Sequence, residues 1–120
     1  MGVKSYKDLI VWQKSVDLVG EVYGLVKLLP KEELYALSDQ MRRAAVSIPS
    51  NIAEGQARNS SKEFAQFLAI ARGSKAELET QLIICVRLGY LTDEQIRTAT
   101  DLCAEIGKMI NAILSAKHSD

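Results

Sequence analysis

Apolar residues recur at three- and four-residue spacing along most of the chain, the period of one face of an α-helix. Over about residues 8–28, Leu9, Trp12, Val16, Val19, Tyr23 and Val26 gather on one side. Pro30 cannot continue that helix, and Lys31-Glu32-Glu33 makes a polar corner. A second helix over about 35–57 carries the stripe Leu34, Leu37, Met41, Ala45, Ile48 and Ile52. Pro49 falls inside it. Its missing N–H and crowding ring predict a kink, with Ser47, Ser50 and Asn51 placed to satisfy the freed carbonyls. Gly55 and the stretch Arg58-Asn59-Ser60 punctuate the end.

Ser60-Ser61-Lys62-Glu63 reads as a capping box opening a third helix over about 61–88. Its stripe is Phe64, Phe67, Ala71, Leu78, Leu82 and Cys85, and Gly89 is placed to stop it in a left-handed cap. Thr92-Asp93-Glu94-Gln95 is a second capping box, opening a helix over about 93–116 with Ile96, Ala99, Cys103, Ile106, Ile110 and Ile113. Four amphipathic helices with short connections predict an all-α fold, an antiparallel up-and-down four-helix bundle in one domain over 1–120.

Two helices carry more apolar surface than one bundle needs. At about 100° per residue, Ala65, Ala69, Ala76 and Ile83 form a line roughly opposite the main stripe of the third helix. On the second, Val46, Ala53 and Ala57 turn away from Met41 and Ile48. Alanine alone is merely a good helix former at exposed positions. With Val46, Ile83 and Ile84 added, the pattern predicts packing against further copies of the chain, a homo-oligomer.

Composition narrows the picture. Among 120 residues, 15 Lys+Arg balance 15 Asp+Glu, which excludes a strongly basic arm or an acidic tail. Two prolines and seven glycines are too few for a turn-rich β fold. No apolar run approaches the roughly 18 residues of a membrane span, so no membrane partner is expected. Met-Gly-Val-Lys-Ser-Tyr-Lys-Asp has no apolar signal core, and the expected location is the cytoplasm. Without export, the sequon Asn59-Ser60-Ser61 carries no weight, and Cys85 and Cys103 read as buried thiols in a reducing compartment.

Candidate chemistry is sparse. Di-iron bundles use Glu-x-x-His pairs on facing helices, whereas this chain has one histidine, His118. Glu54, Glu77 and Glu79 therefore lack imidazole partners, and no metal or cofactor is expected. The same scarcity removes histidine-assisted nucleophiles, and there is no glycine-rich phosphate loop, so the expectation is a protein that is not an enzyme. Ser47, Asn51, Glu54, Ser74, Glu77 and Gln81 read first as a structural polar network around Pro49, and second as a ligand-facing patch. Basic residues remain: Arg42, Arg43, Arg58, Lys62, Arg72, Lys75 and Arg87. Residues 58–91 hold five basic against three acidic, and residues 92–120 three against five, so the neutral total hides a polarised chain. In a ring-shaped oligomer the basic side would repeat as a belt able to bind phosphate backbones through counterion release.

The run Gln40-Met41-Arg42-Arg43-Ala44-Ala45-Val46-Ser47-Ile48-Pro49-Ser50-Asn51-Ile52-Ala53-Glu54-Gly55 resembles the signature of the 23S rRNA intervening-sequence proteins, bacterial four-helix bundles. The similarity continues at Asp8 to Lys14, at Leu29-Pro30 with Glu33, and at Gly73-Ser74 with Glu77, Gln81 and Leu82. The resemblance implies kinship with the accessory protein of diversity-generating retroelements, a barrel-like pentamer that binds nucleic acid and partners a reverse transcriptase. It makes a pentamer the expected assembly, and Arg42, Arg43, Arg58, Lys62 and Arg72 the positions for phosphate contacts with structured RNA or DNA. Those relatives are strongly basic, whereas this chain is neutral. Two functions follow: a non-enzymatic homo-oligomer contacting RNA or DNA, or the same assembly as an adaptor for a protein partner.

Overall fold

The computed structural model describes residues 5–119, with side chains through Ala116. A single 3-10 turn, Tyr6–Asp8, precedes the first helix and is capped by the Ser5 hydroxyl, which accepts from the Lys7 amide at 3.1 Å. Leu9 is extended, so α1 runs Ile10–Val26 and begins two residues later than the apolar pattern suggests. A second 3-10 turn, Lys31–Glu33, follows Pro30. The Glu33 carboxylate then accepts from the Leu37 amide at 3.4 Å and from the Tyr90 hydroxyl at 2.8 Å, fastening the start of α2 to the far end of α3. The remaining helices are α2 Leu37–Gln56, α3 Ser61–Arg87 and α4 Asp93–Ser119.

Each helix packs on its neighbours in the chain, and α4 closes onto α1, in a body of 46 × 22 × 20 Å. No strand occurs among the described residues. Met41 meets Cys85, Ser47 meets Ser74, and Gly55 approaches Phe64 and Phe67, so residue numbers fall along α3 as they rise along α2. α2 continues through Pro49 as one helix, with the proline ring buried. Asn51 donates to the Ser47 carbonyl at 2.8 Å and to the Ser47 hydroxyl at 2.9 Å, rather than to Ala45, whose carbonyl the missing Pro49 N–H leaves open.

The core contains Leu18, Met41, Ile48, Ile52, Leu68, Leu78, Leu82, Ile106 and Ile110, all fully buried. Burial of each such side chain contributes about 1.5–3 kcal/mol before the entropy of ordering it. The stripes expected for α4 and most of α2 face this core. α1 departs: its buried row is Val11, Ser15, Leu18, Val22 and Leu25, whereas Val16 and Tyr23 are each 42% exposed. Ser15 is tolerated there because its hydroxyl donates to the Val11 carbonyl at 2.6 Å. Leu34 lies on the connection, 44% exposed, and Leu68 replaces Phe67 in the α3 row.

Caps explain where α3 and α4 begin. At α4 the box is reciprocal: the Gln95 amide donates to the Thr92 hydroxyl at 3.1 Å, and the Gln95 side-chain oxygen accepts from the Thr92 amide at 2.9 Å. At α3 only half of it forms. The Glu63 amide donates to the Ser60 hydroxyl at 3.1 Å, while the Glu63 carboxylate takes that hydroxyl's own proton at 3.3 Å. Gly89, at φ 79°, takes the left-handed position that ends α3.

Candidate functional site

The charged groups of α2 are met by residues on that helix and just beyond its two ends. Asp39 holds Arg43 at 3.2 Å and lies 3.9 Å from Arg42, whose guanidinium also donates to the Leu34 carbonyl at 3.2 Å. Arg58 pairs with Glu54 at 2.7 Å and lies over the Phe67 ring, 4.8 Å from its centroid. On α3, Arg72 donates to Asn111 of α4 at 3.0 Å, and Lys62 is exposed. The five candidate phosphate contacts are thus not one surface: Arg42 and Arg43 stand near the start of α2, Arg58 in the α2–α3 connection, and Lys62 and Arg72 on the outer side of α3.

The polar residues separate as well. Ser47 and Ser74 share a hydrogen bond of 2.8 Å across α2 and α3, with Asn51 joined to Ser47. Gln81 reaches only Glu77, at 3.5 Å, and its buried Oε1 has no partner among the described residues. Glu54, turned to Arg58 in solvent, does not join that network.

The small and apolar outer residues mark two flanks. Val46 and Tyr23 border a hollow between α1 and α2, beside Asp39, Arg42 and Arg43. Ala65 and Ala69 floor a hollow of about 440 Å³ between α3 and α4, with Arg72, Asn111 and Leu114. Ala76 and Ile83 continue that α3 row, both exposed, and Ala53 is half-buried on α2.

Contacts with α3 and with α1 fix how α4 sits in the bundle. The Lys75 side chain lies over Gly107, its Nζ 3.2 Å from where a Cβ would be, and pairs with Glu79 at 3.0 Å. Together with Arg72–Asn111, this contact sets the phase of α4 against α3. Arg97, Ala104, Lys108, Asn111 and Ser115 then lie in one row beside the α3 row Lys62, Ala65, Ala69, Arg72, Ala76, Ile83 and Arg87. Glu105 bonds Lys14 of α1 at 2.9 Å, and Glu94, Asp101 and Glu105 alternate with Arg97 and Lys108 at three- and four-residue spacing, so the outward face of α4 carries both signs. Among the described residues, Lys62, Arg87, Arg97 and Lys108 have no carboxylate at ion-pair distance. Asp17, Glu21, Glu94 and Asp101 likewise have no cation there.

No cluster of three or more His, Cys, Asp or Glu suited to a metal occurs among the described residues; the side chain of His118 lies outside them. Both cysteines are free and buried. Burial pushes the Cys103 thiol up to about 12 and raises that of Cys85, so neither has thiolate character at neutral pH. No helix among the described residues is long and apolar enough to cross a membrane.

Among curated proteins, none matches the chain. A solved structure does: a protein of unknown function from the S23 ribosomal protein family of Bacteroides thetaiotaomicron, at 29% identity and a TM-score of 0.81. The match covers 88% of this chain and 98% of that one. The family model described as 23S rRNA-intervening sequence protein matches residues 7–112, and with the bundle and its α2 signature in place the chain belongs to that family.

Proposed function

We propose that this chain is a non-catalytic subunit that assembles with copies of itself into a scaffold, the pentamer being the form that the family resemblance implies. What supports this reading is apolar surface on the outer flanks: Ile83 is 54% exposed and Val46 40%, each in a row that also holds outer alanines. Each such side chain gains about 1.5–3 kcal/mol when covered, and small neighbours allow a second helix to come close. Gel filtration with light scattering should give a mass several times the 13.2 kDa of one chain. Ile83→Glu should lower that mass without changing the helical circular dichroism. A wild-type protein that scatters as one chain at micromolar concentration would sink the proposal.

Contact with RNA or DNA is the second reading. In its favour, Lys62 and Arg72 share their flank with three further exposed cations, Arg87, Arg97 and Lys108. Phosphate binding by such a flank weakens steeply with salt, so a gel shift of structured RNA at low ionic strength should vanish as salt rises. Arg87→Glu with Arg97→Glu should abolish it, whereas Arg43→Glu, on the far helix, should not. A wild-type protein that shifts no RNA even at low salt would dispose of this reading.

A further inference from the structure

Arg72 is held in place without being neutralised. Arg42, Arg43 and Arg58 each stand beside a carboxylate. Arg72 instead donates from one Nη to the neutral side-chain oxygen of Asn111, at 3.0 Å. That bond fixes one edge of the planar guanidinium and leaves its charge and its remaining N–H groups unanswered. Asn111, having spent its oxygen there, keeps two amide N–H donors over. Both residues line the hollow of about 440 Å³ between α3 and α4, and no carboxylate does. Glu79 and Glu105, about two turns away on α3 and α4, are taken up by Lys75 and Lys14. Away from the guanidinium the hollow is mostly apolar. Ala65 and Ala69 floor it and Leu114 stands against them, so space is left where larger side chains on α3 would fill it.

We infer that this hollow binds a carboxylate carried on a short apolar chain. The carboxylate sits on Arg72 and Asn111, and the chain runs over Ala69 toward Ala65 and Leu114. A carboxylate fits the guanidinium fork with two parallel N–H···O bonds. The apolar floor gains nothing from a sugar–phosphate backbone, whereas hydrocarbon covers it. From Arg72 back to Ala65 is two turns of α3, about 10 Å, the span of about eight acyl carbons or of three extended residues. The volume falls in the range of small-molecule sites, which are mostly apolar with a few placed polar groups. Two sources carry this chemistry: a free medium-chain acid and the C-terminal residues of a peptide. The inference goes beyond both readings of function. Ile83 lies about 20 Å along α3 from Ala69, so self-contact centred on Ile83 does not need this end of the helix.

The test uses the full chain in equilibrium dialysis with radiolabelled octanoate, which should bind saturably, one molecule per chain. Acetate lacks the tail, octanol lacks the charge and inorganic phosphate lacks both tail and plane; none should displace octanoate at equal concentration. Arg72→Gln should weaken binding about tenfold. Asn111→Asp, nearly the same shape, puts a competing carboxylate on Arg72 and should weaken it at least as much. Circular dichroism checks that both variants remain helical, and the three displacement measurements on the wild type decide the matter if either does not. Fluorescence anisotropy of a tripeptide ending in leucine, labelled at its N-terminus, separates the sources. Binding with a free but not an amidated C-terminus assigns the site to peptide ends, and binding of octanoate alone assigns it to free acids; either result supports the site. The inference is overturned if neither probe binds, if both variants bind octanoate as the wild type does, or if phosphate displaces octanoate as well as octanoate itself. Each of those results leaves the self-assembly reading standing.

Discussion

Two glycines in helical positions test how closely these helices approach. A Cβ on Gly55 would lie 2.7 Å from the Cβ of Phe67 and 3.0 Å from the Phe64 ring, so α2 and α3 touch there through near-backbone atoms that cannot move aside. Gly55→Ala should destabilise the fold by about 1–2 kcal/mol in urea titration, overpacking outweighing alanine's better helix propensity. At Gly107 the nearest atom is Lys75 Nζ, 3.2 Å away at the end of a flexible chain. Gly107→Ala should therefore be neutral or gain up to about 1 kcal/mol in the same titration. From sequence, both are isolated glycines in helical stretches, and Gly55 reads as punctuation near a helix end. Only the facing side chain separates a close approach from an incidental glycine. Gln81 is a third such residue. Its buried, unpartnered Oε1 predicts that Gln81→Met leaves the melting temperature unchanged or raises it, because the replacement removes a desolvated acceptor at similar volume.

At the level of elements, the starts of α3 and α4 are legible because a cap is a local event: the residues that satisfy the first amides lie within four positions of one another. Thr92→Ala and Ser60→Ala should each cost about 0.5–2 kcal/mol. Thr92→Ala should cost more, since the Thr92–Gln95 box is reciprocal and the Ser60–Glu63 box is not. Equal losses, measured by chemical denaturation, would contradict that account. The phase of α1 is not legible in the same way. Its apolar residues fill two adjacent rows, and Ser15 interrupts the one that is buried, so counting favours the row through Val16 and Tyr23. A serine that bonds its own helix's carbonyl costs little in a core, and no periodicity argument registers that. The mixed charge of the outward α4 face is legible, by contrast, because Glu94, Arg97, Asp101, Glu105 and Lys108 follow one another at three- and four-residue spacing.

For the whole molecule, the fold holds three groups in their protonated forms, and they couple its stability to alkaline pH. Cys103 is pushed from 9.0 to about 12, mainly by burial. Cys85 is raised for the same reason, and Tyr90 chiefly because its hydroxyl donates to the Glu33 carboxylate. In each case the folded chain keeps a proton that the unfolded chain releases sooner. Their contribution is therefore complete below the unfolded values and is lost as pH rises through the folded ones. For Cys103 that window runs from 9.0 to about 12, and one differing proton amounts to about 1.4 kcal/mol per pH unit. Thermal unfolding should show no pH dependence from these groups between pH 7 and 8 and a steepening loss above about 9. Cys103→Ala should be less stable at neutral pH, because it leaves a cavity, but should lose stability more gradually on the alkaline side. If wild type and variant decline in parallel above pH 9, the Cys103 proton is not what the fold retains. A native chain whose thiols react quickly with a disulfide reagent at pH 8 would point the same way, since buried, protonated thiols should react only as the helices open.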